Sequence, residues 1–317
     1  MDDPRPITVD PAAAGMRADV YLAHRFALYS RSGAAEAIRS GEVVSTSRTL
    51  KPASLLKEGE VLHIHSLKLA PQGEKPPCPP VLHEDDHVLA FNKPAGMLCH
   101  PVGMAFAWGV INLARERYPG ESLHLAHRLD RETSGVLLLG RSDAANRHLK
   151  ACFKARSVEK TYLAVVRGRV DWEEQEVDAP IGDDADSPIR LKQGVRPDGH
   201  PARTRFVVKE RHGDRTLVEV HPHTGRTHQI RVHLAHLGHP ILGDKIYGQP
   251  PEVFLSLFEG WDLPGRDDLL EHPRHCLHAA SLQLTSPDGD TLAIHAPFPD
   301  DMRTALESRS PRVGATI

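Results

Sequence analysis

Apolar positions along this chain recur with two different periods. Asp19–Leu28 and Gly33–Arg39 carry helical spacing, with Ser32 placed as an N-cap and Gly41 as the C-terminal stop. Two short strands are expected next, around Glu42–Ser45 and Glu60–His65, giving a small unit of two helices and a hairpin. Residues 71–80 then hold Pro71, Pro76, Pro77, Pro79 and Pro80. Proline fixes φ and removes a backbone donor, so this stretch reads as a semi-rigid linker. The expected domains are therefore 1–70 and 81–317, joined by 71–80.

Beyond the linker the period shortens. Val81–Leu82 and His87–Phe91 flank the turn Glu84-Asp85-Asp86, where His83 to His87 reads as a solvated hairpin turn. Gly135–Leu139 is short and wholly apolar, as a strand buried on both faces would be, and Thr161–Val166 is a further strand. Arg203–Lys209 and Arg215–His221 alternate around Gly213-Asp214, and Ala279–Leu284 and Thr291–His295 around Pro287-Asp288-Gly289-Asp290. Helices are predicted at Val110–Tyr118, Asp143–Ala155 and Thr227–Leu237, the last stopped by Gly238. Antiparallel strands with interspersed helices predict an α+β domain. Glu259–His275 reads as a surface loop.

Composition narrows the function classes. The chain has 317 residues, is 40% hydrophobic and 26% charged, and lacks the ~18-residue apolar run that a membrane span needs. The acidic start, Met1-Asp2-Asp3-Pro4, carries no apolar signal core, which points away from secretion. Cys78, Cys99, Cys152 and Cys276 are far apart with no C-x-x-C pair, so neither a disulfide framework nor a thiolate zinc site is expected, and the cytoplasm is. No Gly-rich phosphate loop occurs, so no nucleotide cofactor is expected. The formal net charge is −3, but the charges are segregated. Arg141 to Arg169 holds eight Lys or Arg against Asp143 and Glu159, whereas Asp171 to Asp186 holds eight acids and no Lys or Arg. One basic face behind an acidic segment is compatible with nucleic-acid binding.

Two polar constellations could carry chemistry. His127-Arg128-Leu129-Asp130-Arg131-Glu132-Thr133-Ser134-Gly135 places an acid between two arginines at the mouth of the apolar strand. Its carboxylate could be kept ionised and aimed by the neighbouring donors, or the segment could be a turn with its charges in water. In His221 to His236, Thr227 is placed to cap a helix with Arg226 at its entrance, where backbone N–H groups and the guanidinium favour an anion. Ile230, Leu234 and Leu237 form a core stripe down this helix, with Arg231 opposite. His233 and His236 sit three apart, but no third ligand accompanies them and no H-E-x-x-H occurs, so no metal is expected. Lys160-Thr161-Tyr162 puts a tyrosine on a strand after a basic helix, a placement equally suited to core packing.

In this order the segments resemble the RluA-type pseudouridine synthase family. Its H-R-L-D-x-x-T-S-G signature stands as His127 to Gly135, and its G-R-T-H-Q-I-R-V-H signature as Gly225 to His233. Val88 to Gly96, Lys160-Thr161-Tyr162, Asp244-Lys245-Ile246-Tyr247-Gly248 and Leu277 to Ala280 are further family-like blocks, and the match runs from about Val81 to Pro299. The resemblance implies a mixed, mainly antiparallel sheet crossed by a central cleft. It also implies isomerisation of uridine to pseudouridine in RNA, with neither metal nor cofactor. Asp130 is then the nucleophile, Arg226 its ion-pair partner and Tyr162 the aromatic residue against the base. Arg128 and Arg131 are expected to hold the flipped nucleotide's backbone, and His127, Thr133 and Arg231 to join the substrate contacts. Arg141, Arg147, Lys150, Lys154 and Arg156 are candidates for phosphate contacts.

The physics fits that assignment. A solvated Asp titrates near ~3.9. Desolvation by a flipped base can raise this by up to ~3–5 pH units and an opposite charge lowers it by about 1–3, so the carboxylate needs a cation once the site is dry. Extruding a stacked uridine costs a few kcal/mol, offset by phosphate contacts and stacking. Large-subunit ribosomal RNA is the expected partner, transfer RNA the other, and a monomer the expected state. The N-terminal unit resembles the small S-four-type RNA-binding domain through Arg17 to Leu22, Ser30-Arg31-Ser32 and Lys57 to Leu62, although Ser45-Thr46-Ser47-Arg48 replaces the usual Asn-Gly turn. Two other classes stand beside this reading: a non-catalytic RNA-binding or ribosome-assembly protein on the same scaffold, and a metal-dependent hydrolase prompted by the 21 histidines.

Overall fold

The structure, a computed structural model, describes residues 5–9, 11–25, 31–65, 75–100, 108–259 and 261–308. Two units form. The first comprises Met1–Pro77, His100–Asn112 and Leu255–Asp262, and the second Cys78–Cys99, Leu113–Phe254 and Leu263–Ile317.

In the first unit β1 (Arg5–Thr8), β2 (Val43–Ser45) and β3 (Val61–Ile64) form an antiparallel sheet in the order β1-β3-β2. Helices α1 (Ala18–Arg25) and α2 (Arg31–Arg39) contribute Leu22, Ala34 and Ile38 to a core shared with Val43 and Leu62. Ser32 lies inside α2, so it does not cap that helix, while Gly41 follows it at φ 77° as the stop requires. Strand β1 escaped the pattern because Arg5-Pro6-Ile7-Thr8 has a single large apolar residue. The turn after β2 is held by Arg48, whose Nε and Nη2 each donate to Glu60 at 2.9 Å. The expected extension of the first helix to Leu28, Ser30 of the S-four-like pattern and residues 71–74 of the proline-rich segment lie outside the described residues.

The second unit is built on one ten-stranded sheet. Its main path runs β4 (Val81–Glu84), β5 (Val88–Lys93), β7 (Ser134–Gly140), β14 (Leu277–Thr285), β8 (Glu159–Arg167), β13 (Arg215–Pro222), β12 (Arg203–His212) and β9 (Glu174–Asp178). β6 (His124–Leu125) pairs with β7, β15 (Thr291–His295) pairs with β14, and β10 (Ile181–Asp183) and β11 (Gln193–Val195) form a separate pair. Every pairing in the large sheet is antiparallel except β7 with β14. Its helices are α4 (Asp143–Ala155), α5 (Gln229–His236), α7 (Arg266–Leu270) and α8 (Asp300–Glu307), while α3 (Val110–Arg117) and α6 (Pro251–Glu259) are divided between the two units. One core joins β8, β13 and β14 to α5 and α8 through Val218, Leu234 and Met302; another joins β5 and β7 to α4 through Val136, Leu138 and Leu149. All seven residues of β7 are buried, which accounts for its unbroken apolar run.

The parallel junction fixes the site. Gly135 has φ 109°, and a Cβ there would lie 2.1 Å from the Ala279 carbonyl oxygen, so only glycine lets β7 approach β14. Ser134 Oγ lies 2.8 Å from His278 Nδ1 and Thr133 Oγ1 lies 2.8 Å from His275 Nε2. These contacts correct the surface-loop reading of Glu259–His275: the segment contains α7, and Arg274 and His275 are buried against the β7 entrance. The acidic stretch after β8 holds β9 and β10, whose acids hid any alternation in the sequence.

Candidate active site

Asp130 sits on the loop that enters β7, and that loop is clamped from below. The ammonium of Lys93, fully buried at the end of β5, donates to the carbonyls of Pro94 (3.0 Å), Met97 (2.8 Å) and Arg131 (2.9 Å). Burial pushes its pKa down to about 8. Cys99 Sγ donates to the Leu129 carbonyl at 3.3 Å and Gly96 N to the Arg131 carbonyl at 2.9 Å. The residues on both sides of Asp130 are thus fixed while its side chain stays one-third exposed.

The cation that meets Asp130 is Arg231, not Arg226. Arg231 Nη1 donates to Asp130 Oδ2 at 3.1 Å, while Nε and Nη2 donate to Asp244 at 2.6 and 2.9 Å. Asp244 is fully buried and Arg231 nearly so, with its guanidinium 5.1 Å from the Tyr247 ring centroid. The backbone N–H groups of Ile246 and Tyr247 also donate to Asp244 Oδ1. Burial alone would neutralise this carboxyl; the guanidinium reverses that and holds it far below the usual carboxylate range. Asp130 follows the same balance: burial raises its pKa, but the Arg231 guanidinium, by charge and by hydrogen bond, leads the influences that pull it below its ordinary value.

Arg226 lies in the turn between β13 and α5, where its Nε donates to the Pro201 carbonyl at 3.1 Å. The helix starts two residues later than expected, at Gln229, after His228 at φ 56°. Thr227 does not cap it; Gln229 Oε1 accepts from Arg226 N (3.0 Å) and Thr224 Oγ1 (2.7 Å), closing the turn from inside the helix. The amphipathic reading failed for a physical reason. Gln229 through Leu234 are all buried, so the polar side of α5 faces the interior as well and Arg231 is aimed at two carboxylates.

Tyr162, on β8 between Val220 and Ala279 in register, lines the same cleft as Asp130. Burial, reinforced by the Asp130 charge, pushes its phenol above the usual tyrosine range, so it stays protonated. The cleft encloses about 550 Å³, and Arg128, Thr133, His127, Lys154, Arg156, Lys160 and Arg226 also line it. That volume is within the ~300–1,000 Å³ of small-molecule sites. His127 is structural as well as lining: its Nε2 accepts from Leu138 N at 3.1 Å and its ring stacks on Phe153. Burial, helped by Lys160, pushes it down to about 4 and keeps it neutral. Lys160, lowered by burial, donates to the Thr224 carbonyl at 3.3 Å.

Other expected contacts are elsewhere. Arg141 is engaged by Glu121, Glu84 and the Asp85 carbonyl, so its charge is spent within the protein and it does not line the cleft. Arg147 and Lys150 are exposed on α4 outside the cleft lining. Arg131 is exposed, its Nε donating to the Gly96 carbonyl, and its neighbour Glu132 pairs with Lys245. His233, read as a metal candidate and set aside, has Nδ1 against Thr204 Oγ1 and Nε2 against the Ala179 carbonyl. Among the described residues no group of three or more His, Cys, Asp or Glu is arranged to hold a metal, and no helix is long and apolar enough to cross a membrane. Asp244, His228, Tyr247 and Lys93 belong to the site without having been singled out. Their signal was their place within the family-like blocks.

Comparison with known proteins agrees with this geometry. A family model described as RNA pseudouridylate synthase matches residues 87–236. Ribosomal large subunit pseudouridine synthase C of Vibrio cholerae is 35% identical over 95% of this chain and 95% of its own length. Ribosomal large subunit pseudouridine synthase D of Xanthomonas campestris is 36% identical over 96% and 92%. Among solved structures, human RNA pseudouridylate synthase domain containing 1 aligns over 71% of this chain and 86% of its own, with a TM-score of 0.57 and 28% identity. Human RNA pseudouridylate synthase domain containing 4 aligns over 71% and 91%, with a TM-score of 0.55 and 27% identity. With the carboxylate, guanidinium and phenol in one cleft and relatives matching nearly end to end, the chain belongs to the RNA pseudouridine synthases, isomerases that convert uridine in RNA to pseudouridine.

Proposed function

We propose that this enzyme acts on large-subunit ribosomal RNA, with Asp130 as nucleophile, Arg231 as its charge partner and Tyr162 against the flipped uracil. The observation that carries the assignment is the shared guanidinium: Arg231 bridges Asp130 and Asp244 at 3.1, 2.6 and 2.9 Å beside Tyr162. When the base enters and water leaves, the desolvation that would protonate Asp130 is opposed by a cation already fixed in place.

The N1–C1′ bond breaks, the uracil turns, and C5 bonds to C1′. The C5 proton leaves and N1 regains one, so the product is an isomer and no outside reactant is consumed. Attack on the sugar or on the base equally requires an unprotonated carboxylate oxygen at Asp130. Tyr162 stacks on the ring, and its neutral phenol can relay the departing proton. Arg128, Lys154 and Arg156 hold the extruded strand. The four free thiols suit the cytoplasm.

The D130N variant should release no tritium from RNA carrying carbon-5-labelled uridine while binding that RNA within about threefold of wild type. Full isomerisation by D130N would end the nucleophile assignment. For the substrate, pseudouridine mapping in cells lacking the protein should show sites missing from large-subunit ribosomal RNA; losses confined to transfer RNA would overturn that part.

A further inference from the structure

His228 holds a conformation that nothing in the reaction scheme has yet used. It stands at φ 56°, in the left-handed region that residues other than glycine enter at a cost, immediately before α5. Its ring meets Tyr247 edge-on, with centroids 5.7 Å apart and planes at 84°. Nδ1 lies 2.9 Å from the Tyr247 hydroxyl, and that hydroxyl accepts from the Gln193 backbone N–H at 3.0 Å. A phenol has one proton; with the Gln193 N–H already donating to its oxygen, that proton can be given to Nδ1. A neutral imidazole that accepts at Nδ1 carries its hydrogen on Nε2. Nε2 in turn lies 4.0 Å from Asp130 Oδ2, the oxygen that also takes the Arg231 contact.

We propose that Tyr247 locks His228 in its Nε2–H tautomer and so makes it a second, uncharged donor to the Asp130 carboxylate. This inference deepens the nucleophile reading above and rests on it. Two donors on Oδ2 hold the carboxylate by one oxygen and leave Oδ1 for the reacting carbon. At 4.0 Å the pair is beyond hydrogen-bond length, and catalytic hydrogen bonds of this kind tighten when substrate closes the cleft. The ring stays neutral at working pH: burial, with the Arg231 cation, pushes it down to about 4, Arg128 acting in the same sense and Asp130 and Asp244 opposing. A neutral donor adds direction to the carboxylate without further lowering its basicity as a second cation would.

Nitrogen NMR on the full-length protein without RNA tests the lock, His228 being identified by the signals lost in H228N. A single Nε2–H tautomer is expected in the wild type and a mixed population in Y247F, which keeps an aromatic ring beneath Arg231. In tritium release, Y247F and H228N should each lose about tenfold or more in kcat, with KM for RNA changed less than about twofold. Asn tolerates the left-handed backbone but is too short to reach Asp130, so H228N separates the lost donor from misfolding. An Nδ1–H tautomer in the wild type, or unchanged kcat in both variants, overturns the proposal. Full activity in D130N would remove the nucleophile reading while leaving the NMR result as it stands, so the two failures are distinguishable.

Discussion

Replacing Arg231 with methionine removes the cation shared by two carboxylates while keeping an unbranched stem against Tyr247. Asp244 is fully buried, so its uncompensated charge should cost about 3–5 kcal/mol at pH 7. In the wild type this carboxyl titrates below its unfolded value, so its contribution is present above ~3.9 and lost only as pH falls through the folded value. In R231M the largest opposition to burial is gone, leaving the Ile246 and Tyr247 N–H groups, and the folded pKa is expected to move above the unfolded one. The stability gap should therefore be widest near neutrality and narrow as pH falls from 7 towards 4, which urea melts across that range would read. Asp130 responds likewise. Burial raises its pKa and Arg231 is the largest influence opposing it, so losing the guanidinium should lift it. The acid limb of kcat then moves to higher pH. Relative to wild type, R231M should therefore lose more activity at pH 6 than at pH 8. Arg226→Met, which loses a contact to the Pro201 carbonyl at the cleft rim, should leave the acid limb where it is. If R226M moves that limb and R231M does not, the assignment of Arg231 is wrong.

Three other outcomes follow from the same geometry. Y162F should bind RNA as the wild type does, since the ring that stacks is kept, but slow tritium release by about 10²–10⁴-fold if the phenol relays the C5 proton; equal rates would leave Tyr162 a stacking role only. K154A/R156A should raise KM without changing the pH profile and lower the slope of log affinity against log salt by about one per charge removed. Gly135→Ala should not yield folded protein, because its Cβ would meet the Ala279 carbonyl at 2.1 Å; a soluble variant with normal circular dichroism would contradict the β7–β14 junction.

The local elements and the chemical inventory could be read from the chain. The wholly apolar run that became β7, the Gly213-Asp214 hairpin, the helix Asp143–Ala155 and the acid between two arginines each depend on residues close in sequence. Period and turn chemistry act over a few residues, so such features survive folding unchanged. Strands β1, β9 and β10 were hidden because they owe their pairing to neighbours more than to their own alternation.

What charge meets what charge was decided only by tertiary packing. Arg226 and Arg231 are five residues apart in one signature, and the sequence favoured the one at the helix entrance. Burial of α5 on its polar side as well turned Arg231 inward to Asp244 and Asp130, which lie 13 and 101 positions away along the chain. Arg141 was drawn into ion pairs away from the cleft in the same way, since Glu84 and Glu121 reach it across the fold. Electrostatic partnership depends on distance through space and on the water excluded between groups, and neither is encoded by spacing along a chain.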